Sequence, residues 1–215
     1  LVGDYLLSRC FEMMVEDGDL EVLKLLSSTS AEISQGEVLQ LQHKGEIDML
    51  EETYLKIISA KTATLFAAAT KVGSILANKE SKTKNALEFY GKNLGLTFQI
   101  ADDTLDYNSE LKIFGKQIGN DFYEGKITLP IILLYQKAKS DEKRELKEIF
   151  EKNERSEVEL KKILSMIKKY NIIYDCYVKA EHFIKLASNS LSIFNESKEK
   201  EIFQNLTSFS LERNF

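Results

Sequence analysis

The chain of 215 residues has no tryptophan, one proline, two cysteines and two histidines. A single proline with only ten glycines excludes collagen-like chains, proline-rich chains and low-complexity linkers, and it favours helices. The two cysteines, Cys10 and Cys176, are too far apart for metal-ligand spacing and too few for a disulfide scaffold, so packed, reduced thiols are expected. Cationic charge is not in excess either, with 29 Lys and Arg against 34 Asp and Glu and a formal net charge of -5. A footprint for a phosphate backbone is therefore absent, and nucleic acid is not an expected partner. The longest apolar stretches, residues 65–69 and 127–135, fall short of the roughly 20 apolar residues a bilayer crossing needs. No membrane span is expected.

What is present is helical periodicity. Val2, Leu6, Cys10 and Met13 predict a buried stripe on a helix over residues 1–15, and Asp17, Gly18 and Asp19 fall in a turn. Leu20, Leu23 and Leu26, then Val38 and Leu41, carry a second helical pattern over 20–43, which Ser27 to Ser30 could split and which Gly45 ends. Further helices are predicted over 54–77, 83–107 and 127–139, the last after a loop containing Gly115, Gly119 and Gly125. The charge-rich segment 140–169 keeps Leu146, Ile149, Phe150, Leu160, Ile163 and Ile167 at helical spacing, as the wet face of an amphipathic hairpin would. Two more helices fill 170–194 and 198–213. With no period-two alternation, no internal repeat and no domain boundary, the expectation is one all-α bundle over residues 1–215.

The chemistry concentrates at Gln99, Asp102, Asp103 and Asp106. At 3.6 residues per turn, Asp102, Asp106 and Asp103 lie at about 0°, 40° and 100° around the helix, with Gln99 at about 60°. Three carboxylates among apolar neighbours repel one another unless cations intervene. Oxygen-only ligands of this kind suit Mg²⁺, which keeps several waters and is shared with substrate phosphates. A bare DDxxD string is also what a solvated acidic helix end looks like, so context decides. Lys61 lies among Ile57, Ile58, Leu65 and a run of alanines, where an ammonium needs an anionic partner. Lys116 and Lys126 stand on glycine-containing segments directly after the aspartates, placed to grip a diphosphate from the other side. Glu37 and Gln40, one turn apart, could line the same cavity or serve as ordinary surface residues.

These residues occur in an ordered series: Gly3-Asp4-Tyr5-Leu6-Leu7, Gly36-Glu37-Val38-Leu39-Gln40, Lys61-Thr62-Ala63, Phe98-Gln99 with Asp102-Asp103-Thr104-Leu105-Asp106, Gly115-Lys116, Gly119-Asn120-Asp121 and Glu124-Gly125-Lys126-Ile127-Thr128-Leu129-Pro130. The series resembles the trans-type polyprenyl diphosphate synthases, and the motifs reach from Gly3 to Pro130. The resemblance implies an isoprenoid synthase-type helical bundle around a central cavity, faced by two aspartate-rich helices. It implies that Asp102, Asp103 and Asp106 hold Mg²⁺, and that Lys61, Thr62, Gln99, Lys116 and Lys126 surround an allylic diphosphate. Ionisation of the allylic C–O bond, attack by the double bond of isopentenyl diphosphate and loss of a proton would follow, with Lys61, Lys116 and Lys126 stabilising the departing pyrophosphate.

The first aspartate-rich motif, the arginines after it and the isopentenyl diphosphate-binding residues of that family are not found here; His43 and His182 stand in the wrong places to replace its histidine. Leu1 to Leu7 opens like a helix interior without a cap, so the chain is expected to begin partway through a longer protein and to be inactive alone. The resemblance further implies a medium- or long-chain product for quinone side chains, a homodimer built on apolar faces such as Leu65, Phe66, Val72, Ile75 and Leu76, and a cytoplasmic enzyme that meets the membrane surface through its product. A catalytically silent subunit of a heteromeric synthase and a class I terpene cyclase are the alternatives.

Overall fold

The computed structural model describes residues 1–108 and 118–212, with side chains to residue 210. Among them run α1 (Val2–Asp17), α2 (Leu20–Gln42), α3 (Glu51–Ile58), a π-turn (Ser59–Ala63), α4 (Thr64–Leu76) and α5 (Ser81–Leu105). There follow α6 (Asn120–Glu124), α7 (Leu129–Lys137), α8 (Ser140–Phe150), α9 (Glu157–Lys169), α10 (Ile172–Ser190), a 3₁₀ turn (Leu191–Ile193) and α11 (Lys198–Glu212). No strand occurs among the described residues. The fold is all-α, as the periodicity implied.

The centre is α5, packed between α4 and α10. From Tyr90 onward it is buried on nearly every face, so even its polar residues need internal partners. The Thr97 hydroxyl proton is shared between the carbonyls of Asn93 and Ala180, Thr104 donates to that of Ile100, and the Asn93 amide to that of Phe89. The main core joins Tyr54, Ile57 and Ile58 to Ile100, Phe122, the apolar residues of α7 and the inner faces of α8, α9 and α10. Pro130 sits in the first turn of α7, where a missing amide hydrogen costs no helical bond. The segment 140–169 forms the expected hairpin, with Leu146, Ile149, Phe150, Leu160, Ile163 and Ile167 all buried. Ser156 and Glu159 close a reciprocal capping box at the start of α9.

Several expectations are corrected in α1 and α2. The stripe of Val2, Leu6, Cys10 and Met13 is exposed, because α1 packs mainly against α2 and leaves that side uncovered. Cys176 is the packed thiol and Cys10 is not. In α2 the buried residues are Val22, Thr29 and Gly36, seven apart, rather than the leucine-bearing side; Leu20, Val38 and Leu41 face outward. The serine cluster does not split α2, since the hydroxyls of Ser27 and Thr29 bond to carbonyls of the preceding turn and leave the ladder intact.

Small residues win on α2 because the backbones there nearly touch. A Cβ added to Gly36 would lie 2.6 Å from the Lys61 amide nitrogen and 2.9 Å from the Ala60 Cβ. On the other side of the π-turn, a Cβ on Gly95 would lie 2.6 Å from the Ala63 Cα. Gly95→Ala is accordingly expected to lower stability by about 1–3 kcal/mol through overpacking. Gly73→Ala, on a helix with nothing within 4 Å of the new methyl, should raise it by about 0.5–1 kcal/mol. Denaturant midpoints of the two variants check the contrast; equal shifts would refute the close packing.

Candidate active site

The helix predicted over 54–77 is interrupted by one wide turn, and that turn carries Lys61 and Thr62. A π-turn inserts a residue into the helical ladder, which lets two consecutive side chains diverge to different neighbours. Lys61 reaches α2, where its ammonium lies 2.5 Å from a Glu37 carboxylate oxygen and donates to Gln40 Oε1 at 2.6 Å. The anionic partner expected for this lysine is Glu37. Thr62 turns to α5 and donates to Gln99 Oε1 at 2.7 Å.

From Gln99 the hydrogen bonds continue inward. Its amide donates to Asp103 Oδ1 at 2.7 Å, and Tyr54 Oη donates to Asp103 Oδ2 at 2.7 Å. Burial is the main cause that pushes the Asp103 carboxyl up to about 7, helped by the charge of Asp121 and opposed by the bonds from Tyr54 and Gln99. Burial likewise drives the Tyr54 phenol far above its ordinary range, so it remains a donor.

The far wall comes from the segment after Gly119. Lys126 Nζ lies 2.6 Å from Glu124 and 3.2 Å from Asp121. Burial pulls its pKa down, but the bond to Glu124 and the charge of Asp121 outweigh that and push it up to about 12. Asp121 itself is raised by burial against the pull of Lys126.

Lys61, Thr62, Gln99, Asp102, Asp103 and Lys126 all line one cleft of about 100 Å³, together with Gln40, Asp121 and Thr128. Asp106 does not. Helix α5 ends at Leu105, and the Asp106 carboxylate turns to accept from the amides of Asn120 at 3.1 Å and Asp121 at 2.9 Å. It caps α6 while its own carbonyl accepts from the Gly119 amide. Among the described residues, no group of three or more His, Cys, Asp and Glu side chains is arranged to hold a metal ion. Lys116 lies outside the described residues. His43 pairs with Glu46, and His182 packs its ring edge-on against Phe183.

Sequence reasoning passed over Tyr54 and the placement of Asp121 in the cleft. Tyr54 stands two turns before Lys61 at the start of the predicted helix, and in the structure it belongs to the core. Asp121 lies in the first turn of a five-residue helix too short to show a period.

Among the described residues every regular element is helical, and the likeness to solved structures shows the all-α fold of the isoprenoid synthases. A family model described as polyprenyl synthetase matches residues 1–167, and the chain belongs to that family. It is 35% identical over 213 residues to an all-trans-nonaprenyl-diphosphate synthase (geranyl-diphosphate specific) of Rhodobacter capsulatus, covering 99% of this chain and 65% of that protein. It is 44% identical over 132 residues to the octaprenyl diphosphate synthase of Escherichia coli K12, covering 61% and 41% of the two chains. A crystal structure of a polyprenyl synthase from Caulobacter crescentus, complexed with calcium and isoprenyl diphosphate, superposes with a TM-score of 0.94 at 35% identity, over 100% of this chain and 65% of that one. The chain thus spans about two thirds of the full length of the first of these relatives. No helix among the described residues is long and apolar enough to cross a membrane.

The raised carboxyl of Asp103 has a measurable consequence. Its folded value near 7 lies above the ordinary 3.8, so between the two the folded chain binds the proton more tightly than the unfolded one. Stability in a metal-free chelator buffer is therefore expected to fall as pH rises from about 4 to about 7, by up to about 4 kcal/mol, and to level off above that. Asp103→Asn, which keeps the shape and can bond to both Gln99 and Tyr54, should flatten this slope and raise stability at pH 8. Urea unfolding across the range measures it, and an Asn variant with an unchanged slope would remove Asp103 as the cause.

Proposed function

We propose that this chain forms the allylic diphosphate side of a prenyltransferase that condenses isopentenyl diphosphate with an allylic diphosphate to make a medium- or long-chain polyprenyl diphosphate for quinone side chains. The observation that carries the reading is the convergence of Lys61 and Lys126, from two separate elements, on a cleft that also holds Asp102 and Asp103. Two ammonium groups flanking carboxylates would make little sense for a neutral ligand; they suit a polyanion that arrives with its own cations.

Mg²⁺ fits the donor set. Hard oxygen ligands line the cleft, and this ion is commonly held by one or two carboxylates plus substrate phosphates rather than by an all-protein cage. Asp102 and Asp103, which line the cleft, would hold it. When bound, the ion would neutralise charge on the diphosphate leaving group. Asp106, in this reading, acts at one remove by holding the start of α6 and so the wall that carries Asp121 and Lys126.

The protein's own contribution is electrostatic and positional. Lys61 and Lys126 would take the developing negative charge on the departing pyrophosphate, while Gln99 and Thr62 set the floor between them. Ile57 and Ile58, which also line the cleft, keep it partly dry and so strengthen those charges. The relatives are named for products from short-chain to nonaprenyl, and the long-chain reading rests on the segment Gly36 to Gln40. A homodimer belongs to the same reading, supported by the exposed apolar side chains of α1 and by Leu65 and Leu76 on α4.

In the protein that carries this chain, Asp102→Ala is expected to lower Mg²⁺-dependent incorporation of radiolabelled isopentenyl diphosphate at least about 10³-fold, as loss of a charge-stabilising group does. Turnover within a factor of two of the parent would refute the assignment.

A further inference from the structure

One arginine outside the cleft is built into its wall. Arg155 stands in the connection between α8 and α9, half-buried, and its guanidinium lies flat over Gly125, the residue before Lys126. A Cβ on Gly125 would fall 2.8 Å from one terminal nitrogen of Arg155 and 2.9 Å from the other, so any other residue there would push the guanidinium from its place. Gly125 is also in the left-handed region, with φ of 73°. From that position Arg155 donates to the carbonyl of Phe150 at 2.7 Å and to that of Tyr123 at 3.4 Å, and its charge rests 5.3 Å above the Phe150 ring. Phe150 in turn packs edge-on against Phe122 in α6. The Nε–H is buried without a hydrogen-bond partner, a cost that surface arginines do not carry.

On its other edge the same glycine is fixed as well. The Gly125 carbonyl accepts from the Gly45 amide at 3.1 Å, and the Lys126 amide bonds to the Asp121 carbonyl at 2.9 Å. The peptide that launches the Lys126 side chain is therefore clamped between α2's end and Arg155. The planar fork can bridge two carbonyls while lying flat on a glycine, which a lysine ammonium cannot do.

We propose that Arg155 is a positioning residue for Lys126, setting the turn at Gly125 so that the ammonium faces the diphosphate subsite; this rests on the reading of the cleft given above. The test is calorimetric titration of the folded 215-residue chain with inorganic pyrophosphate in Mg²⁺ buffer, for the parent, Arg155→Met, Arg155→Lys, Lys126→Met and the Arg155→Met/Lys126→Met pair. Arg155→Met is expected to weaken pyrophosphate binding about tenfold in the parent and not at all in the Lys126→Met background, since coupled residues are non-additive. Arg155→Lys, the milder change if Arg155→Met does not fold, should lose about threefold because it keeps charge but not the fork. An Arg155 effect of equal size with and without Lys126 is what a purely structural staple would give, and it overturns the proposal, as does parent-like affinity in both Arg155 variants. If Lys126→Met itself leaves pyrophosphate binding unchanged, the reading of the cleft has failed, and the proposal falls with it for that separate reason.

Discussion

The site depends on how closely three stretches of backbone approach at the π-turn. Gly36 on α2 and Gly95 on α5 grip residues 59–63 from two sides, at separations that leave no room for a single methyl group. Ala63, between them, is fully buried. This contact sets the spacing of α2, the π-turn and α5, and the three carry Gln40, Lys61, Thr62, Gln99, Asp102 and Asp103 into one cleft. A wide turn is less favourable than a regular one, and it persists because its neighbours over-determine it. The same extra residue that relieves the register lets Lys61 and Thr62, adjacent in sequence, address opposite helices.

Around that cleft, charges that burial would penalise are each met by a partner. Lys61 has Glu37 and Gln40; Lys126 has Glu124 and Asp121; Asp103 has Tyr54 and Gln99. Asp103 is the place where compensation is least complete, since its two hydrogen bonds do not offset desolvation and the nearby charge of Asp121. Stored unfavourable energy of this sort is relieved by a cation or a proton, and functional sites are where folded proteins tolerate it. The wall opposite is held by a different device, an aspartate cap at Asp106 and two left-handed glycines, Gly119 and Gly125.

Much of this was legible in the residues. The hairpin of α8 and α9 follows from its period, and the position of Lys61 on an apolar face called for an anionic partner, which the structure identifies as Glu37. The convergence of Lys61, Thr62, Gln99, Asp102, Asp103 and Lys126 was legible from motif order rather than from any one spacing. Other features were not. A single-residue insertion into a helix leaves no trace in a 3.6-residue period, so the π-turn was hidden inside one long apolar segment. Asp106 was placed by angle on the face of Asp102, and as the C-cap of α5 it keeps helical backbone with its amide on the Asp102 carbonyl; what no angle shows is that its carboxylate is engaged by the amides of Asn120 and Asp121. The stripe on α1 is real as a pattern; periodicity says which side of a helix is apolar, not what lies against it.

The hydrogen bonds running from Thr62 through Gln99 to Asp103 have a direction. Every donor points toward the carboxylate, which fixes the Gln99 amide with its oxygen toward Thr62 and its nitrogen toward Asp103. A hydroxyl has one proton, and that of Thr62 is committed to Gln99. What Thr62 offers the cleft is therefore lone pairs, to a cation or to a water that donates. A phosphate oxygen arriving at Thr62 would have to take that proton, leaving Gln99 Oε1 without its donor, so binding at this point is an exchange of partners along the whole string rather than the addition of one more contact.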